Sequence, residues 1–287
     1  MTLVCFYYTS MIDKKQGFIK GALHVENQVK QQPMRMLENK VAIITGASRG
    51  IGKATALRMS EEGAKIVVSA RSFDKLTKIC EKINTQGGSA IAVSCDLSNE
   101  AEIDSVIQTA IQTYRRIDIL ANIGQGDTEG QTLDNLSVKE ATYAYQTGPI
   151  SSMLFMQKCF PYMRKQHGGS IINVSSRYVD IGGEGFAAFG MAKSAIEALT
   201  HMAAVEWGKY GIRTNCIRPI AMQDELPKLH SQAINASMKN KIPLGYLAMP
   251  YKDIAPLIIY LASDYACYLN GAVISADGGL SRCSSTK

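Results

Sequence analysis

From Lys40 onward, short β-branched apolar runs alternate with longer stretches whose apolar residues recur at helical spacing. That rhythm belongs to βαβ units, where a parallel sheet is buried on both faces and its strands read as unbroken hydrophobic runs. The pattern predicts strands at 41–45, 65–69, 90–94, 117–121, 170–174, 213–217 and 272–275, and helices at 51–62, 73–86, 100–114, 138–165, 185–209 and 253–262. Seven such strands fit an α/β chain in three layers, with one doubly wound parallel sheet in a single domain over residues 37–280. Residues 220–249 break the rhythm. They carry no strand pattern and are bounded or interrupted by Pro219, Pro227, Pro243 and Pro250, as expected of a lid over a substrate. Its Met222, Leu226, Leu229, Met238 and Leu244 suit either an apolar pocket wall or a helix core. Residues 1–36 read as a loosely attached extension and 281–287 as a tail. The run from Leu3 to Tyr8 is too short for the apolar part of a signal peptide, and no basic segment precedes it.

Composition removes several classes. Hydrophobic residues make up 46% and charged residues 20% of the 287, far from the signature of disorder. No run of about 18 apolar residues predicts a membrane span. The 31 basic residues outnumber the 25 acidic ones without forming a basic run, which suits an anionic small molecule better than nucleic acid. Seven cysteines without a Cys-x-x-Cys suggest neither a disulfide framework nor zinc, and point to a reducing, cytoplasmic setting. His24, His167, His201 and His230 are too scattered to announce a metal site.

The chemistry begins at Thr45-Gly46-Ala47-Ser48-Arg49-Gly50-Ile51-Gly52, between the first strand and the first helix. Glycines there let backbone approach a pyrophosphate at a helix N-terminus, so Gly46, Ser48, Arg49, Gly50, Ile51 and Gly52 are candidate nucleotide contacts. The second strand ends Ser69-Ala70-Arg71-Ser72, with no acid to accept from a ribose 2′-hydroxyl. Arg71 and Arg49 can instead clamp a 2′-phosphate, which favours NADP(H) over NAD(H). Asp96 after the third strand suits either the adenine amino group or a helix cap.

With Asp96-Leu97, Ile172-Asn173-Val174-Ser175-Ser176, Ser263-Asp264 and Asp277-Gly278-Gly279 added, the chain resembles the short-chain dehydrogenase/reductase family over residues 39–279. The resemblance implies a Rossmann-type domain, a nicotinamide cofactor, a small-molecule substrate and a homotetramer or homodimer. It adds Leu97, Asn122, Lys193 and Pro219 to the cofactor contacts. Four motifs depart from the family. Where it has Asn-Asn-Ala-Gly after the fourth strand this chain reads Ala121-Asn122-Ile123-Gly124-Gln125-Gly126, in which only Asn122 survives, its Tyr-x-x-x-Lys reads Phe189-Gly190-Met191-Ala192-Lys193, and its Pro-Gly reads Pro219-Ile220. Gly148 or Pro149 falls where the family carries a catalytic Asn on a helix, with Gln146 the nearest amide in sequence.

A branch related to dienoyl-CoA reductases lacks the same tyrosine and uses one fifteen residues before the lysine, which here is Tyr178. The segments 175–186, 204–213 and 268–274 are similar to that branch. The similarity implies Tyr178 as proton donor and Ser176 as a second hydroxyl on the reacting oxygen. Lys193 would hold the nicotinamide ribose and, as a nearby cation, favour the ionised phenol. The expected activity is hydride transfer between NADP(H) and an enoyl thioester or a ketone. A non-catalytic nucleotide-binding sensor or scaffold is the alternative, favoured by Gly148, Phe189 and Ile220.

Overall fold

Alternation inside the apolar runs dictates a sheet covered twice. Ala42, Ile44, Ile66, Val68, Ile119, Ala121, Ile172 and Val174 enter one hydrophobic core, while Ile43, Val67, Leu120 and Ile171 enter a second. The computed structural model describes residues 35–127, 130–222 and 241–282. In chain order the elements are β1 (Val41–Thr45), α1 (Gly50–Glu61), β2 (Lys65–Ala70), α2 (Phe73–Thr85), β3 (Ser89–Ser94), α3 (Glu100–Tyr114), β4 (Ile119–Asn122) and α4 (Val138–Tyr145). There follow α5 (Ser151–Lys165), β5 (Gly169–Val174), α6 (Tyr178–Ile181), α7 (Ala187–Trp207), β6 (Ile212–Pro219), α8 (Ala255–Ala262) and β7 (Val273–Ala276). The strands form one seven-stranded sheet in the order β3-β2-β1-β4-β5-β6-β7, parallel throughout. Helices α1, α2 and α8 pack on one face, and α3, α5 and α7 on the other. The result is the expected three-layer Rossmann-type architecture.

The helix expected over 138–165 is divided. Between α4 and α5 the backbone widens into a π-turn at Gln146–Ile150 that contains Pro149. A proline within a helix removes one hydrogen bond and its ring crowds the carbonyl four residues back, and a wider turn relieves that crowding. The α6 turn, absent from the expected elements, follows β5 directly. Most of the expected lid, residues 223–240 with Leu226, Leu229 and Met238, lies outside the described residues, as do residues 1–34 and 283–287. Residues at the two ends of the expected lid pair: Ala221 bridges in parallel to Ala248, and the Met222 N–H donates to the Ala248 carbonyl at 2.9 Å. Met222 and Leu244 are exposed.

Strand order reverses between β1 and β4, which opens a crevice at their carboxyl ends. Two loops close its floor. The buried Thr45 hydroxyl accepts from the Ile123 and Gly124 N–H groups at 3.0 and 3.1 Å. Gly46, at φ +65°, comes so near that a Cβ there would lie 2.5 Å from the Gly124 Cα. Gly46→Ala is therefore expected to destabilise the fold by about 2 kcal/mol or more, through backbone strain and forced separation of the loops. Gly50→Ala, whose Cβ meets nothing within 4 Å at φ +51°, should cost only about 1 kcal/mol. Urea denaturation of both variants checks this, and equal losses would refute the close-contact account.

Candidate active site

In the turn from Gly46 to Gly52 the Ala47 N–H donates to the Ser69 carbonyl at 3.2 Å, which ties the turn to β2. Arg49 precedes α1 in extended conformation without a side-chain cap, and the first turn of α1 holds no acidic residue. The initial N–H groups and the positive end of the helix dipole are thus uncompensated by side chains. A Cβ on Gly52 would lie 2.3 Å from the Gly46 carbonyl oxygen, so the helix start sits directly on the turn, while Gly50 borders open space. Ser48 and Ile51 are half-buried beside it. This donor set and shape fit a pyrophosphate.

Arg71 stands exposed after β2, and Arg49 lies 3.3 Å from Asp127 with both side chains exposed. The Asp96 carboxyl is held below the usual range by hydrogen bonds from the Ser98 N–H and hydroxyl, at 2.9 and 2.7 Å, with a smaller contribution from the charge of Arg71. Both bonds use the same Asp96 oxygen. The residue capping α3 is Asn99, not Asp96. Leu97 packs against Gly124.

The Asn122 side chain bonds across the sheet. It is buried and donates to Asn173 Oδ1 at 2.9 Å across the β4–β5 pairing, and Asn173 donates to the Thr200 hydroxyl at 2.9 Å. The side-chain donor of Asn122, an expected cofactor contact, is thus engaged between strands. Pro219 ends β6, paired with Ala276 of β7.

Lys193 projects from α7 onto the end of β5, where its ammonium donates to the Val174 carbonyl at 2.7 Å. Phe189, one turn earlier, places its ring centroid 5.4 Å from that ammonium, a cation–π contact. Burial pulls the Lys193 amine down to about 8. Ser176 is nearly buried just beyond β5, and its hydroxyl accepts from the Tyr178 N–H at 3.3 Å. Tyr178 opens α6 with its ring stacked on Phe186 at 3.9 Å, and Phe186 meets Phe189 edge-on at 6.2 Å. The cation over the Tyr178 ring is Arg177, 5.1 Å from its centroid. The cation–π partner of Lys193 is Phe189, and Phe186 touches both the Tyr178 and the Phe189 rings.

An ionic network that the sequence did not announce holds this turn. Arg218, at the end of β6, donates through Nε and Nη2 to the Glu197 carboxylate of α7 at 2.6 and 2.5 Å, and also to Asp180 of α6. The Ser175 hydroxyl donates to Glu197 as well. These bonds, led by those that Arg218 donates to Glu197, hold its guanidinium above its usual range. The α6 turn is thus bolted to β6 and α7. Lysine, two serines and tyrosine are gathered at one end of β5, but the tyrosine hydroxyl makes no hydrogen bond among the described residues.

Gln146 is exposed, so it is not the amide beside Gly148. Gln125 is: a Cβ on Gly148 would lie 3.3 Å from the Gln125 amide carbon and oxygen. The only prior sign of this was the glutamine's intrusion into the Asn-Asn-Ala-Gly pattern.

Comparisons with known proteins agree with the geometry. Residues 46–281 match the family model described as enoyl-(acyl carrier protein) reductase. The 3-oxoacyl-(acyl-carrier-protein) reductase of Thermotoga maritima is 31% identical over 244 residues, spanning 85% of this chain and 98% of that protein. An L-rhamnose 1-dehydrogenase (NAD(P)(+)) from a Sphingomonas is 31% identical over 251 residues, 86% of this chain and 98% of that one. A solved 7 alpha-hydroxysteroid dehydrogenase, complexed with NADH and 7-oxo glycochenodeoxycholic acid, superposes with a TM-score of 0.81 at 30% identity, covering 86% of this chain and 96% of its own. On its glycine turn, its sheet order and these matches together, the chain belongs to the short-chain dehydrogenase/reductase family.

Proposed function

We propose that the protein is an NADP(H)-dependent oxidoreductase that moves hydride between the dinucleotide and an enoyl thioester or a ketone/alcohol substrate. The observation that carries this reading is the uncapped α1 start beside Ser176 and Lys193 at the carboxyl ends of the same sheet. The reductase and dehydrogenases among its relatives support it. Residues 37–280 form the working domain, with 220–249 as the lid, in a cytoplasmic homodimer or homotetramer. When bound, the dinucleotide supplies the hydride.

The chain's own residues do the remaining work. The Ser176 hydroxyl donates a hydrogen bond to the substrate oxygen as charge gathers there, and the Tyr178 hydroxyl delivers the proton. Arg177 packs over the Tyr178 ring and helps to position it. Lys193 holds the nicotinamide-side ribose, and the Arg218 bridges fix the turn that carries Tyr178. Gly46, Ser48, Arg49, Gly50, Ile51 and Gly52 cradle the phosphates, Arg71 binds the 2′-phosphate, and Leu97 and Pro219 border the cofactor.

A second reading has its own support. Phe189 covers Lys193 and Tyr178 stacks on Phe186, an arrangement that suits a dinucleotide-binding protein without turnover. Incubation with NADPH and a panel containing trans,trans-dienoyl-CoA and simple ketones separates the two. An enzyme oxidises NADPH, and Tyr178→Phe lowers its kcat about 100-fold. Micromolar NADPH binding with no oxidation across the panel would establish the binder, and undiminished turnover by the variant would remove Tyr178 from the mechanism.

Arg71→Ala should weaken NADPH binding at least tenfold, the loss of one or two charge-assisted bonds, while leaving the NADH Kd unchanged in calorimetry. Equal losses for both dinucleotides would refute the 2′-phosphate assignment.

The buried Lys193 gives a pH signature. Its folded value of about 8 lies below an unfolded value near ~10.4, so between these the unfolded chain binds more protons and stability rises with pH. Below pH 8 the full penalty applies, on the order of 3 kcal/mol. Lys193→Met should therefore melt above the parent at pH 7, with the difference shrinking toward pH 10. A constant difference in thermal melts across that window would show that Lys193 titrates normally.

A further inference from the structure

A primary amide buried with neither end bonded is rare in folded proteins and calls for a ligand or water. Gln125 is such a group: its Oε1 and Nε2 are both buried and without a partner among the described residues. The loop that carries it has little freedom. Gly124 before it is pressed against Gly46, and a Cβ on Gly126 after it would lie 2.7 Å from the Tyr143 ring. The amide itself rests on Gly148 of the π-turn, where a side chain would crowd it. The structure thus keeps an unsatisfied donor and an unsatisfied acceptor, side by side, one residue beyond the contact between the two loops that floor the crevice.

We propose that Gln125 binds the hydroxyls of the nicotinamide-side ribose, with Nε2 donating to one oxygen and Oε1 accepting from the other. This rests on the dinucleotide reading above. A ligand whose pyrophosphate sits on the turn from Gly46 to Gly52 must run past Gly124 to reach Ser176, and Gln125 is the next polar group on that loop. The chemistry selects a neutral diol. A phosphate or carboxylate would meet the carbonyl oxygen with like charge, and an apolar group would leave both amide ends unmet. Phe189 offers the ribose no hydroxyl, and the Gln125 amide supplies a polar contact.

Calorimetry with NADPH and with adenosine 2′,5′-bisphosphate, which lacks the nicotinamide half, tests the assignment on the parent, Gln125→Leu and Gln125→Glu. The leucine variant should bind NADPH about tenfold more weakly through loss of two hydrogen bonds, with unchanged affinity for the bisphosphate. Its ligand-free Tm should equal or exceed that of the parent, because the unmet amide is gone. The glutamate variant keeps the size and an acceptor, and should fall between; it carries the test if the leucine variant fails to fold. Parent-like NADPH binding by the variants, or equal losses for both ligands, would overturn the proposal. A parent that binds neither ligand would overturn the dinucleotide reading itself.

Discussion

The approach of Gly46 to Gly124 is the constraint on which the site depends. Two backbone turns, one after β1 and one after β4, meet at a distance that no side chain could share. Thr45 fastens them by accepting from two N–H groups of the facing loop. Because the contact is made of backbone, the floor of the crevice presents peptide groups and a helix start rather than side chains. That surface suits an anion that must be reached by several N–H groups at once.

Polar side chains behind the floor are committed to the frame. Asn122, Asn173 and Thr200 link β4, β5 and α7, while Ser175, Glu197, Arg218 and Asp180 link β5, α7, β6 and α6. Buried ion pairs such as Arg218–Glu197 contribute little net stability, since desolvation offsets their attraction. Their directional bonds fix where the α6 turn lies. Among the described residues the Gln125 amide, buried with both ends unbonded, stands out against this background.

Replacing a phenol by Phe189 changes more than one proton. The ring lies over the Lys193 ammonium, which is otherwise bonded to a single carbonyl. A buried cation with a quadrupole and one acceptor has lost much of its hydration without a full exchange of partners, and its amine accordingly becomes easier to deprotonate. The aromatic series Tyr178, Phe186, Phe189 extends from that cation to the α6 turn.

The chain by itself determined the sheet, the layers and the glycine turn, because buried parallel strands write themselves as continuous apolar runs and a turn with left-handed residues needs glycine. It also marked Phe189 as a missing phenol, since a motif shows a lost atom wherever its spacing is kept. Only the tertiary structure decided which groups meet. The π-turn at Pro149, the replacement of Gln146 by Gln125 over Gly148, the engagement of Asn122 with Asn173, and the placing of Arg177 rather than Lys193 over Tyr178 each depend on residues remote in sequence. Local periodicity records which face a residue presents; it carries no information about the partner that arrives there from another element.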